Sequence, residues 1–277
     1  MEFQEHLKRL LENHCIHPRR RLGQNFMVDE RVLRRVVEYA NLEESDVVLE
    51  VGGGLGFLTG LLAEDAGRVI TVEKDPRFAA FLREKFGGKE KIEIREGDFL
   101  KMDIAGYNKV VSNPPYLTIS KIIFKLLDGG FDLGVLTLQK EFAEKMTADR
   151  GCKGYGRLAV MTYVKAEVDL LESVPPSAFY PPPKVTSIIT RIHSRRELPF
   201  KVSDWKLFDE VVKILFTQRN RTVRRALRTL SKQMPLIGLV EATSQLPFLD
   251  RRVFTLMPEE FGVLTDALHQ KLAQDSV

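Results

Sequence analysis

The chain has 277 residues, 44% hydrophobic and 29% charged, a composition that fits a globular protein of one large domain or a catalytic domain with an appendage. No apolar run approaches the roughly 20 residues that a bilayer-spanning helix needs, and Met1 to Leu11 is amphipathic and charged rather than signal-like, so a cytoplasmic protein without a membrane partner is predicted. The 42 Lys and Arg exceed the 38 Asp and Glu by only four, and Cys15 and Cys152, far apart with no His or Cys at ligand spacing, predict neither a disulfide framework nor a metal site.

The excess charge is unevenly placed. Residues 1–35 hold 8 basic and 5 acidic residues (net +3), residues 191–277 hold 15 and 10 (net +5), and the stretch between them is net −4. Basic ends around a neutral-to-acidic core suit a catalytic domain flanked by surfaces that meet a polyanion.

From Asp46 onward, β-branched runs at 47–51, 68–72, 91–95, 109–112 and 133–138 alternate with helical spacing over 57–64, 77–85 and 119–127. This alternation predicts a Rossmann-like α/β domain built on a parallel sheet covered on both faces. After a helical stretch at 155–164 come two extended segments, 166–173 and 185–192. The linker between them, with Pro175, Pro176, Pro181, Pro182 and Pro183, is too short for a crossover helix, so an antiparallel pair is predicted. Beyond Ser194 the pattern becomes helical at 205–230 and 258–272, with Pro199, Pro235, Pro247 and Pro258 at the breaks. The predicted organisation is an α/β domain over 1–194 and a small all-helical domain over 195–277.

The first strand runs into Gly52-Gly53-Gly54-Leu55-Gly56 and then a helix. Glycines permit a tight turn and leave bare main chain for a ligand. A lone glycine-rich turn is weak evidence, but its context adds to it. Glu50 completes the spacing Glu-x-Gly-x-Gly-x-Gly, and the next strand ends at Glu73, 21 residues after Gly52, where a carboxylate can accept from both hydroxyls of a ribose. The third strand leads to Gly97-Asp98-Phe99, where Asp98 can accept from an adenine amino group and Phe99 can pack on the ring. Acid at three successive strand ends suits a cationic, phosphate-free nucleoside, S-adenosylmethionine, better than a diphosphate. The helix start is then left for the methionine carboxylate.

After the fourth strand stands Asn113-Pro114-Pro115-Tyr116. The lone pair of an adenine amine is delocalised, so the nitrogen is a poor nucleophile until it is drawn toward tetrahedral geometry. The side-chain oxygen of Asn113 and the main-chain carbonyl of Pro114 can hold both N–H groups, in a turn stiffened by proline. Tyr116 offers a face for an unstacked base. His6, His14, His17, His193 and His269 all lie outside these motifs, which argues against histidine-based catalysis.

With these motifs the chain resembles the KsgA-type family of small-subunit ribosomal RNA adenine dimethyltransferases over residues 18–262. The resemblance is also carried by Arg21-Leu22-Gly23-Gln24-Asn25-Phe26, Gln139-Lys140-Glu141, Gly154-Tyr155-Gly156-Arg157-Leu158, Pro175-Pro176-Ser177-Ala178-Phe179, Pro181-Pro182-Pro183-Lys184-Val185 and Phe216-Thr217-Gln218-Arg219-Asn220-Arg221. It implies a class I methyltransferase sheet with one antiparallel strand. It further implies that Asn25 and Met27 join Gly52, Gly54, Glu73, Asp98 and Asn113 around S-adenosylmethionine, and that Phe179 covers the face of the target base opposite Tyr116. The implied substrate is a pair of adjacent adenosines in a hairpin near the 3′ end of small-subunit RNA, each dimethylated, with a further role in assembly of the subunit; the protein is expected to be a monomer. Bacterial members usually carry Asn-Leu-Pro-Tyr, whereas Pro114 stands here; the carbonyl role is expected to survive.

Arg219, Arg221, Arg224, Arg225 and Arg228 accompany apolar Phe216, Val223, Leu227 and Leu230. On one helix, Arg221, Arg224 or Arg225, and Arg228 would form a stripe able to track RNA phosphates. Arg19, Arg20 and Arg21 are expected to join that surface or to order the lid over the cofactor. Two alternatives are methylation of large-subunit RNA, against which the 216–221 segment argues, and an assembly or transcription factor whose methylation is incidental, for which degraded motifs would be expected.

Overall fold

A computed structural model describes residues 18–19, 23–233 and 246–274. The chain divides into two compact units, one holding the described residues up to Ala143 with Glu167–Ser194, the other Glu144–Ala166 with those from Arg195 onward.

The first unit is organised by a seven-stranded sheet of β2 (Val47–Val51), β3 (Arg68–Glu73), β4 (Ile92–Glu96), β5 (Lys109–Ser112), β6 (Leu133–Gln139), β7 (Ala166–Val174) and β9 (Ser187–Ser194). Their order is β4-β3-β2-β5-β6-β9-β7. The strands β4, β3, β2, β5 and β6 pair in parallel. By contrast β9 runs antiparallel to β6, from Leu133 opposite His193 to Gln139 opposite Ser187, and β7 lies beside β9 at the edge. The central strands are apolar on both faces because both faces are covered: Val48, Leu49, Val69, Ile70, Val110 and Val111 are all buried.

The sequence pattern marked α2 (Phe57–Asp65), α3 (Pro76–Phe86) and α4 (Ile119–Gly129) to within two residues at either end. It missed α1 (Glu30–Ala40), whose signals are nonetheless plain. Asp29 caps it by accepting the Arg31 N–H, Val32, Leu33, Val36, Val37 and Ala40 form its buried face, and Asn41 closes it in the left-handed region at φ 44°. Also unforeseen was a separate two-stranded antiparallel sheet, in which β1 (Phe26–Met27) pairs with β8 (Phe179–Tyr180), Phe26 opposite Tyr180 and Met27 opposite Phe179. Two-residue strands carry no periodicity to read.

The chain leaves β2 toward β3 on one side of the sheet and later returns to β5 on the other. Such a reversal opens a crevice at the carboxyl ends of the strands. Gly52–Gly54, Glu73, Asp98 and Asn113 all follow or end those strands.

After β6 the chain forms α5 (Lys140–Met146). In the second unit, α6 (Arg157–Lys165), α7 (Trp205–Thr217), α8 (Val223–Gln233) and α9 (Pro258–Gln274) pack around Phe208, Val211, Leu215, Phe261, Leu264 and Leu268. The Tyr155 hydroxyl donates to the Leu256 carbonyl at 2.8 Å, and Arg157 grips Asp209 through both carboxylate oxygens. The continuous helix expected over 205–230 is two helices. Gln218 to Thr222 form a turn, because the opening N–H groups of α8, from Val223 and Arg224, are satisfied by the carbonyls of Arg251 and Leu249. No helix among the described residues is long and apolar enough to cross a membrane.

Gly53 tests how tightly the glycine turn is seated in this framework. A Cβ there would fall 2.2 Å from Thr71 Cγ2 and 2.9 Å from Leu82 Cδ1. Gly53→Ala is expected to lower the unfolding free energy by about 1–3 kcal/mol, the range for core overpacking, as read by denaturant titration.

Candidate active site

A cleft opens at the carboxyl ends of β2 to β5. Gly52 and Gly54 bend its floor with φ of 93° and 52°, where side-chain-bearing residues are strained. A Cβ on Gly54 would stand 3.0 Å from the Phe26 ring, so glycine lets Phe26 close over the turn.

Glu73, 6% exposed, lines this cleft. Its Oε2 accepts the Gly54 N–H at 2.9 Å and its Oε1 the Asp75 N–H at 2.8 Å, leaving each oxygen a second lone pair for a ribose hydroxyl. Burial raises its pKa above the usual carboxylate range, against the pull of those two N–H groups. Glu50 also belongs to the cleft lining but lies deeper than Glu73. It is 1% exposed, and its Oε2 accepts from the hydroxyls of Thr59 at 2.6 Å and Thr71 at 2.9 Å, so it braces the turn from behind. Asp98 does line the cleft, but it already has two partners: Oδ1 caps the short turn Phe99–Lys101 through the Leu100 N–H, and Oδ2 accepts from Lys74 Nζ at 2.8 Å. That lysine holds its pKa low. Phe99 forms the adjoining wall.

The segment 23–27 forms the opposite side. Asn25, in the cleft, bonds through Nδ2 to the Gly23 carbonyl, and Met27, buried within β1, also lines the cleft. Gln24 anchors the segment, accepting the Arg19 N–H at 2.7 Å and donating to Asp75 Oδ2 at 3.4 Å. Asp75 also takes a two-pronged grip from Arg77 and lies 3.9 Å from Arg19 Nη1; the Arg77 guanidinium carries its carboxyl down to about 2. Sequence reasoning overlooked Asp75, although an Asp directly before Pro76 at a helix start is a capping signal.

Asn113 joins the two sides. Its Nδ2 donates to the Asn25 carbonyl at 3.1 Å, across 88 residues of sequence, and its Oδ1 is buried without a partner among the described residues. Pro114 is buried in the cleft wall, and the Pro115 carbonyl accepts the Thr118 N–H at 3.2 Å, closing the turn. Tyr116 lines the cleft with its hydroxyl 2.6 Å from Ser187 Oγ, and burial pushes its phenol up to about 12. Phe179 is 2% exposed, with its ring centre 6.4 Å from that of Tyr116 and the planes at 68°. In that position it plugs the core beneath Tyr116 and offers no open face to a base. Neither His193 nor His269 lines the cleft.

The arginines of the second unit divide into two groups. Arg219 lies over the Phe254 ring at 5.5 Å and donates to the carbonyls of Lys153 and Cys152, and Arg224 pairs with Asp250 at 3.1 Å. Arg221, Arg225 and Arg228 are exposed. Because α8 starts at Val223, Arg219 and Arg221 stand on the preceding turn, and the single helical stripe is replaced by a turn plus a helix face. Arg20 and Arg21 lie outside the described residues.

A Rossmann-like sheet with a nucleoside cradle at its switch point and an unmet amide oxygen at the fourth strand end defines an S-adenosylmethionine-dependent methyltransferase. The residues fit that cofactor. Glycine main chain, the lone pairs of Glu73 and the acidic lining of Glu73 and Asp98 suit a sulfonium nucleoside, and Lys74, the cation in the described lining, is paired with Asp98. The profile of the ribosomal RNA adenine dimethylase family matches residues 16–238, and the chain belongs to that family. It is therefore an rRNA adenine dimethyltransferase. It is 41% identical over 277 residues to the probable ribosomal RNA small subunit methyltransferase A of Methanopyrus kandleri, covering 98% of this chain and 100% of the relative. To the protein so named in Methanococcoides burtonii it is 39% identical over 245 residues, 88% of this chain and 90% of the relative. Among solved structures, a dimethyladenosine transferase from Plasmodium falciparum superposes with a TM-score of 0.72 at 28% identity, covering 88% and 97% of the two chains. The 23S rRNA methyltransferase ErmE superposes with a TM-score of 0.64 at 32% identity, covering 88% and 100%.

The buried acid behind the turn gives a pH prediction. Burial raises the Glu50 carboxyl from 4.5 to about 7, Glu73 adding to the rise and the Thr59 and Thr71 hydroxyls and Lys85 opposing it. The unfolded chain loses this proton near pH 4.5 and the folded one near 7, so stability is full below the lower value and falls as pH rises through the window between them. Glu50→Gln keeps acceptors for both threonines and does not ionise. Between pH 5 and pH 8 its stability should fall roughly 2–3 kcal/mol less than that of the wild type, measured by denaturant titration at both pH values. Equal slopes would contradict a buried, titrating Glu50.

Proposed function

We propose that this enzyme dimethylates the N6 amines of two adjacent adenosines in a hairpin near the 3′ end of small-subunit ribosomal RNA, and that it acts on the assembling subunit as a monomer in the cytoplasm. The observation that carries the chemistry is the partnerless Oδ1 of Asn113, a buried acceptor of the kind that native structures leave unmet only for a reason. In this reading it accepts one N–H of the adenine amine, the Pro114 carbonyl accepts the other, and Tyr116 stacks on the base. Asn25, Met27, Gly52, Gly54, Glu73 and Asp98 hold the donor.

When bound, S-adenosylmethionine supplies an electrophilic methyl group on a leaving group that departs as a neutral thioether. The protein has then to orient the nitrogen, exclude water and let the product's proton pass to solvent, and no strong base is needed. Phe179 reaches the second face of the base only after the β8 segment shifts from its present packing. Small-subunit specificity is supported by the names of the relatives above. The domain expected over 195–277, to which the structure adds Glu144–Ala166 as one compact unit, is proposed to bind RNA, with Arg221, Arg225 and Arg228 meeting phosphates and Arg219 and Arg224 shaping that surface. Arg19 is proposed to hold the cofactor lid through Asp75 as well as to border the RNA. Likeness to ErmE keeps large-subunit RNA as the second reading.

Tritiated methyl transfer to undermethylated small and large subunits decides between them. Label is expected in small-subunit RNA and recovered as dimethyladenosine. With Asn113→Ala the rate at saturating donor should drop about a hundredfold, as for a misplaced reactant, while S-adenosylhomocysteine binds more weakly but measurably. Label in the large subunit alone would overturn the substrate assignment, and full activity in the variant would overturn the role of Asn113.

Binding to the helical unit should be steeply salt-dependent. Arg225→Ala is expected to reduce the slope of log affinity against log salt by about one, the share of one phosphate contact, in filter-binding assays on small-subunit RNA.

A further inference from the structure

The wall at Phe99 belongs to a turn of only three residues, Phe99–Lys101, too short to hold its own shape. Asp98 caps its start, and Gly97 is pressed against Met102, whose Sδ would lie 2.9 Å from a Cβ at that glycine. Its carbonyl end is held from another element. Lys125 Nζ donates to the Phe99 carbonyl at 2.8 Å and to the Met102 carbonyl, and sits 5.0 Å from the centre of the Phe99 ring. Two of the three ammonium donors are thereby committed to main-chain oxygens, and the charge faces the ring whose position those oxygens set.

Lys125 stands on α4, which starts immediately after the turn Asn113–Thr118. One helical turn before it, Ile122 lines the cleft, and Ile119, Ile123 and Leu126 are buried against the rest of the unit. One rigid element therefore begins at the turn that would hold the acceptor amine and carries, two turns later, the group that fixes the wall on the donor side. We infer that Lys125 is a positioning residue that sets the Phe99 wall of the nucleoside site in register with the acceptor turn. This rests on the reading that the adenine of the donor lies against Phe99.

Lys125→Met keeps the aliphatic stem and removes the donors. Calorimetry on the full chain should show S-adenosylhomocysteine and 5′-methylthioadenosine both bound about tenfold more weakly, a part of what the wall loses with its two charge-assisted hydrogen bonds to Lys125. The KM for S-adenosylmethionine should rise by the same factor with kcat at saturation little changed, and Lys125→Arg should recover most of the affinity. A variant that merely folds less well would instead show fewer binding sites at unchanged affinity, which contradicts the inference; Lys125→Gln serves the same comparison if Lys125→Met does not fold. Phe99→Ala separates the two layers. If it leaves both affinities intact, adenine lies elsewhere and the underlying reading fails. If it weakens them while Lys125→Met does not, only the role of Lys125 is overturned.

Discussion

One side-chain amide holds the two halves of the cleft in register. Asn113 donates to the Asn25 carbonyl, and that donation turns its oxygen into the cleft, where it meets nothing among the described residues. A buried acceptor left unmet costs about 1–3 kcal/mol, and the fold sustains this at the end of its fourth strand. The same bond draws the 23–27 segment over the glycine turn, so the wall beside the donor and the acceptor for the amine are set by one residue. Substituting Asn113 therefore disturbs both, and binding has to be measured separately from rate.

The second constraint is the handling of negative charge. Three acids cluster at the strand ends, yet each is treated differently. Glu50 is sealed behind the turn by two threonine hydroxyls, Glu73 holds the turn through main-chain N–H groups while keeping lone pairs toward the cleft, and Asp98 is tied to Lys74. Asp75, next in the chain after Lys74, is used as an anchor for Arg77, Gln24 and Arg19. The cleft is left acidic without carrying three free carboxylates, a setting in which a sulfonium is favoured over a diphosphate.

Much of this was legible in the sequence because the signals are local. Apolar runs buried on both faces marked the strands, and the glycine turn, Glu73, Gly97-Asp98-Phe99 and Asn113-Pro114-Pro115-Tyr116 fell at successive strand ends. What stayed hidden depends on partners remote in sequence. The β1–β8 pairing joins residues some 150 positions apart through two-residue strands, Glu50 shows its inward role only once Thr59 and Thr71 are beside it, and the burial of Phe179 follows from packing under Tyr116. The break between α7 and α8 was missed for the same reason, since the carbonyls that start α8 come from residues 249 and 251. That break moved Arg219 and Arg221 off the helix on which the arginine stripe had been drawn.

The most direct test of the account is a crystal structure of this protein with S-adenosylhomocysteine and an RNA hairpin carrying the target adenosine, read for the surroundings of the adenine N6. That nitrogen is expected within about 3 Å of Asn113 Oδ1, with the Pro114 carbonyl as its second acceptor and the base stacked on Tyr116. An adenine seated elsewhere, or an Asn113 amide turned so that its nitrogen faces the base, would contradict it.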